Sequence, residues 1–183
     1  MNIISEADII KDVARRLDSA EIRYMFTGSI AANFYTVPRM TRDIDIVIEL
    51  IETDIDRVIR LFEKDYLIDK SMVASAIKEK QIFNIIHYQS VVKIDFIVRK
   101  ENPYRLEEFS RRKMITFEDT KLYITAPEDL ILSKLYWAKE NMSELQLSDV
   151  RNLLRSVDAL DKDYLKRWAN YLGVDDIYEK MKA

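Results

Sequence analysis

Cysteine is absent from the chain, which excludes disulfides, thiolate zinc sites and thiol nucleophiles together. Histidine occurs once, as His87, and this removes most imidazole-based acid–base and metal-binding designs. Any chemistry therefore falls to carboxylates, hydroxyls and lysines. Glycine occurs only twice in 183 residues, where the usual ~7% would give about a dozen. No apolar run approaches the ~20 residues of a membrane-spanning helix. An excess of one charge sign is missing too. With 29 basic and 32 acidic residues and a net charge of −3, nothing in bulk attracts nucleic acid or an anionic membrane. The opening MNIISEADIIKDVARRL lacks the basic-then-apolar pattern of a secretory signal, so a cytoplasmic location is expected.

What is present is a 48% hydrophobic chain of a length suited to one domain, or one domain with a helical appendage. Apolar spacing predicts a helix over Ser5 to Ala20, with Ser5 as N-cap, and a short buried strand over Tyr24 to Thr27. A helix then runs from Ser29 to Tyr35 and a loop from Pro38 through Arg42. IDIVIEL (Ile44 to Leu50) is a β-branched strand. Helices are predicted after Thr53 or Asp54, over Ser71 to Lys80 and over Pro103 to Arg112. Hairpins are predicted to turn at Gln89-Ser90 and at Asp119-Thr120. From Pro127 the pattern is helical to the end, with Gly173 as a C-terminal cap. The expected fold class is α+β: a mixed sheet flanked by helices over residues 1–125, with a packed helical region over residues 126–183.

Three stretches carry chemistry. In TRDIDIVIEL, Asp43 and Asp45 are two apart on a strand, so both carboxylates point to one face. Like charges that close call for a cation, and an all-oxygen ligand set favours Mg²⁺ or Mn²⁺. Asp95, in KIDFIV, sits in what otherwise reads as a core strand, where Asp is rare and a buried carboxylate needs a partner. If that strand lies beside Ile44 to Leu50, Asp95 completes a triad able to hold two metal ions for phosphoryl displacement. A salt bridge from Asp95 to Lys93 or an arginine is the alternative. Gly28-Ser29 follows a strand and opens a helix, where a glycine lets the backbone approach a phosphate and free N–H groups bind it.

The order Gly28-Ser29, then Asp43-Ile44-Asp45, then Asp95 resembles the nucleotidyltransferase superfamily that includes DNA polymerase beta. That resemblance implies that the Gly-Ser turn binds a nucleoside triphosphate and that the three aspartates bind two Mg²⁺. TAPEDLILSKLYWAKE followed by QLSDVRNLL is similar to bacterial nucleotidyltransferases related to abortive-infection and toxin–antitoxin systems. Those carry a lysine on a helix after a P-E-D-L-like cap and an aspartate on the next helix, and Lys134 and Asp149 match these positions. The implied nucleotide-binding set is Gly28, Ser29, Lys134 and Asp149, with Asp43, Asp45 and Asp95 both catalytic and metal-binding.

Taken by itself, Lys134 lies on an apolar helix with Leu130, Ile131, Leu135 and Trp137. It reads either as a phosphate contact or as a surface lysine whose stem snorkels. Asp149 alone reads as a cap or as a partner of Arg151 or Arg155. His87, on an apolar strand, is expected to be structural. Tyr136, Trp137 and Trp168 are expected in the helix-packing core. The function expected is Mg²⁺-dependent transfer of a nucleoside monophosphate from an NTP to a hydroxyl of RNA, protein or a small molecule. The alternative is a non-catalytic nucleotide-binding or antitoxin-like interaction module.

Overall fold

A computed structural model describes residues 4–41, 43–141 and 143–182, with the side chains of Glu140 and Asn141 left aside. Arg42, the expected end of the loop before Asp43, lies outside the described residues. The elements run in the order α1 (Glu6–Ser19), β1 (Tyr24–Phe26), α2 (Gly28–Tyr35), β2 (Asp43–Ile48) and α3 (Ile55–Phe62). They continue with β3 (Tyr66–Leu67), α4 (Lys70–Glu79), β4 (Ile82–His87), β5 (Lys93–Val98), α5 (Pro103–Ser110), β6 (Lys113–Phe117) and β7 (Thr120–Ile124). Four helices close the chain: α6 (Pro127–Asn141), α7 (Glu144–Ser156), α8 (Lys162–Leu172) and α9 (Asp175–Lys182). Among the described residues, no helix is long and apolar enough to cross a membrane.

The fold is α+β, with one mixed seven-stranded sheet in the order β3-β4-β5-β2-β1-β7-β6. Local signals explain most element ends. Ser5 caps α1 through a reciprocal pair with Asp8, Asp69 caps α4, and Asn102 with Pro103 starts α5. Gly173, at φ 65°, ends α8 in the left-handed cap foreseen from the sequence. The two-residue strand β3 has no counterpart in the sequence reading. It is too short for a periodic signal and exists because Tyr66 and Leu67 pair with His87 and Ile86 of β4. His87 is structural, as expected: Nδ1 meets Ser90 Oγ at 2.9 Å and accepts from Ser90 N at 3.1 Å, closing the hairpin.

Strand alternation divides the side chains between two faces. Ile44, Ile46 and Ile48 of β2, with Ile94, Phe96 and Val98 of β5, enter the main core with α1, α3 and α4. The opposite face carries Asp43, Asp45 and Val47, with Asp95 and Ile97. Val47 joins Met25 and Phe109 in a smaller apolar cluster there. Helix α6 runs along this part of the molecule, packing on α2 and on α7, α8 and α9.

Where α5 ends, Arg111 donates to Asp129 Oδ2 and Glu128 Oε2, both at 3.0 Å, and lies over the Tyr164 ring. Tyr164 in turn donates to Asp129 Oδ1 at 2.5 Å. Both acids are buried, so their charge is tolerable only while Arg111 is present. Arg111→Met should therefore cost about 3 kcal/mol, the lower end of the range for breaking a buried pair, because Arg111 itself keeps some solvent contact. Urea unfolding measures this, and a loss below 1 kcal/mol would mean that water replaces the guanidinium.

Candidate active site

The parallel pairing of β2 with β5 is in register at Asp45↔Asp95 and Asp43↔Lys93. It brings the three predicted carboxylates to neighbouring positions on one sheet face. Burial raises the Asp45 pKa from 3.8 to about 6, and the charges of Asp95 and Asp43 add to the rise, while Lys134 and Lys93 oppose it. Asp45 is thus under-compensated for negative charge. Lys93 supplies part of the compensation: its Nζ lies 2.9 Å from Asp95 Oδ2 and 3.8 Å from Asp43 Oδ1. The salt-bridge alternative for Asp95 is therefore present alongside the convergence of the triad. As the side chains stand, no group of three or more His, Asp or Glu residues among those described is gathered to cage a metal ion.

Gly28 opens α2 at φ 58°, directly against this cluster. A Cβ at Gly28 would overlap the Asp45 carboxylate, so the close approach that demands glycine is to a side chain of the site itself. Thr27 N donates to the Asp45 carbonyl at 2.9 Å and ties the turn to β2. Ser29, the next residue, accepts from Arg39 Nη2 at 2.8 Å.

Arg39 was not singled out by sequence, and from the loop after α2 it links α2 to α7. Asn33 of α2 holds its backbone on both sides, donating to Arg39 O at 2.9 Å and accepting from Arg39 N at 3.1 Å. From there the guanidinium reaches Ser29 and also Asp149 Oδ2 of α7, at 3.0 Å. Asp149 accepts from Lys134 Nζ of α6 at 2.8 Å, and Gln146 Oε1 accepts from the same ammonium at 3.1 Å. Burial alone would raise the Asp149 pKa, but the bonds from Arg39 and Lys134 outweigh it and hold the carboxyl below its usual range.

Lys134 is 3% exposed, so the snorkelling alternative is overturned. Its ammonium lines a cavity of about 250 Å³ together with Gly28, Asp45, Asp95, Gln146 and Trp137. Asp149 pairs with neither Arg151 nor Arg155, because its side chain points to α6 rather than along α7. Trp137 is a further correction. It is not core but 45% exposed, and it lines the cavity with Lys134 and Gln146. Trp168 does pack among Tyr104, Tyr164 and Tyr171 as expected. Gln146 and Arg39 were missed because single polar residues near loops carry no periodic signal.

No protein-family model and no curated protein matches the chain. Among solved structures, it is similar to an antigenic nucleotidyltransferase-like protein from Paracoccidioides brasiliensis, at 15% identity and a TM-score of 0.59. That match covers 97% of this chain and 92% of the other. The lincosamide antibiotic adenylyltransferase LnuA, solved with lincomycin, is similar at 15% identity and a TM-score of 0.59, covering 85% of this chain and 100% of that one. ANT(2'')-Ia, in complex with adenylyl-2''-tobramycin, is similar at 12% identity and 0.56, covering 92% and 97%. The chain has the nucleotidyltransferase fold.

The raised Asp45 pKa has a consequence for stability. A carboxyl whose folded pKa lies above its unfolded value contributes stability below the unfolded value, here 3.8, and loses it as pH rises through about 6. In EDTA, Asp45→Asn should therefore be more stable than wild type at pH 7.5, by on the order of 2–3 kcal/mol. The gap should close below about pH 4. Urea melts across this range test it, and a variant less stable at pH 7.5 would mean that Asp45 is a structural ion-pair partner.

Proposed function

We propose that the protein is a Mg²⁺-dependent nucleotidyltransferase that moves a nucleoside monophosphate from an NTP to a hydroxyl acceptor. The observation that carries this reading is the in-register pairing of Asp45 with Asp95 directly beneath the Gly28 turn. The shared fold of the adenylyltransferases raises its weight.

The donor set suits Mg²⁺ or Mn²⁺: the ligands are all oxygen, they share one face, and the Asp45 anion is disfavoured first by burial and then by its neighbours' charge. Asp43, Asp45 and Asp95 would hold the metal, which when bound neutralises phosphate charge and polarises the reacting phosphorus. The N-terminal N–H groups of α2 at Gly28 and Ser29 would receive the triphosphate, with the helix dipole favouring the anion. Lys134, fixed by Asp149 and Gln146, would add a cation from the opposite wall. The acceptor oxygen attacks the α-phosphorus and gives its proton to the Asp95 carboxylate. The bond from that phosphorus to the bridging oxygen breaks, and pyrophosphate leaves with the electron pair. Asp149 positions Lys134 and Arg39 and does not touch the reacting atoms.

Incubation with each α-³²P-labelled NTP, Mg²⁺ and a cell extract should label one acceptor species, and Asp45→Asn and Asp95→Asn should each abolish the label. Failure of wild type to label RNA, protein or small molecules with any of the four NTPs would refute transferase activity and favour a non-catalytic module. Lys93 supplies an independent check. Its ammonium competes for the same carboxylate oxygens, so Lys93→Met should tighten Mn²⁺ binding roughly two- to fivefold without nucleotide, the scale of a partly exposed ion pair. Calorimetry reads this directly, and unchanged affinity would argue that Asp95 takes no part in metal binding.

A further inference from the structure

A second cavity, about 480 Å³, adjoins the one holding Asp45 and Asp95, and the two share Thr27, Ile82, Ile97, Ser133 and Trp137 as common wall. It lies further along the same sheet face: Val47 and Ile97 follow Asp45 and Asp95 by two residues, and Arg99 by four from Asp95. At ~3.3 Å per residue, Arg99 sits about 13 Å along the strand direction from Asp95. The cavity spans β4, β5 and β2 and reaches Thr27 beside the Gly28 turn. A molecule seated in it would reach Asp95 across the wall of Ile97, Ile82 and Trp137 that the two cavities share.

Its charge is distinctive in a chain with a net charge of −3. Lys80, Arg99, Lys100 and Arg105 line it, and Glu108 is the acid among the lining residues. Glu108 is fully engaged, accepting from Arg105 Nη1 at 2.7 and 2.9 Å and from Ser133 Oγ at 2.6 Å. Behind Arg99, Glu49 is shared between Arg99 and Arg23, both at 2.6 Å, so one carboxylate faces two guanidiniums. The carboxylate nearest Lys80 is Glu101, at 3.7 Å. Lys100 makes no side-chain hydrogen bond or ion pair with a described residue. Beside these cations stand two aromatic side chains, Tyr136 and the exposed Trp137. Excess positive charge at one end, a ring-stacking wall and an opening onto Asp95 at the other are complementary to a phosphate, a planar ring and a hydroxyl, in that order.

We infer that this cavity receives the acceptor, and that the acceptor is a phosphate-bearing nucleotide, either free or at the end of an RNA chain. The inference rests on the nucleotidyltransferase reading and narrows it from any hydroxyl compound to an anionic one. The phosphate lies against Lys100, Lys80 and Arg99, the base against Trp137, and a ribose hydroxyl reaches Asp95.

Binding, measured by calorimetry apart from turnover, tests it. The four α,β-methylene nucleoside triphosphates, with Mg²⁺, are titrated first to establish donor binding and then held at saturation. Adenosine, AMP and a short oligoribonucleotide are titrated next, with a parallel series lacking the analogues. AMP or the oligonucleotide should bind at least tenfold more tightly than adenosine. Lys100→Glu, at a surface position with no partner to strand, should weaken the charged ligand about tenfold or more, the scale of a charge-assisted contact, while leaving adenosine unchanged. Tighter binding of the oligonucleotide than of AMP assigns an RNA end, and the reverse assigns a free nucleotide. Adenosine binding as well as AMP and the oligonucleotide, or indifference of both charged ligands to Lys100→Glu, overturns the inference while donor binding keeps the transferase reading intact. Absence of donor binding would instead sink the transferase reading, and the series without analogues then decides the cavity by the same two comparisons.

Discussion

The side-by-side parallel pairing of β2 with β5 is the constraint on which the rest of the site depends. With Asp45 opposite Asp95 and Asp43 opposite Lys93, a one-residue slip would send either strand's carboxylates into the apolar core, beside Phe96 or Ile46. The register is secured by burial on that other face, where Ile44, Ile46 and Ile48 meet Ile94, Phe96 and Val98. The hydrophobic side of the sheet thereby pins the geometry of the polar side. Burial first, and then the negative charge of Asp95 and Asp43, raises the Asp45 pKa, with Lys134 and Lys93 partly relieving it.

The second organising element is the chain of contacts from Ser29 through the half-buried Arg39 to the buried pair Asp149 and Lys134. Buried charges are costly unless each is paired and hydrogen-bonded, and every charged member here is. Because the participants come from α2, the following loop, α7 and α6, the network sets the position of the helical region against the Gly28 turn. It also gives Lys134 a fixed place. A free lysine would spread over many rotamers, whereas one held by Asp149 and Gln146 presents its charge to the cavity at little further entropic cost.

Glycine usage follows the same logic. Four non-glycine residues, Glu21, Lys80, Val91 and Glu118, adopt left-handed backbone conformations, which are uncommon for side-chain-bearing residues and strained for the β-branched Val91. This chain evidently tolerates that strain at surface turns without recourse to glycine. Gly28 differs because its difficulty is spatial as well as conformational: the Asp45 carboxylate occupies the volume a Cβ needs. Its backbone has room there only because nothing extends from it.

Much of this was legible in the residues alone. Apolar periodicity and capping residues located both hairpins and the main helices, and the spacing of Asp43 and Asp45 put them on one face because a strand alternates by two. The oddity of Asp95 within KIDFIV marked it without any knowledge of its neighbour. The tertiary structure decided what lies between elements distant in sequence. It made Asp149 the partner of Arg39 and Lys134 rather than of Arg151, placed Lys93 among the carboxylates, and turned Trp137 outward into the cavity. It also created β3, a strand too short to carry a periodic signal of its own. Local pattern reports which face of an element is apolar, since that depends on spacing within a single segment. Which polar side chains meet depends on how segments far apart in the chain pack, and no single segment carries that information.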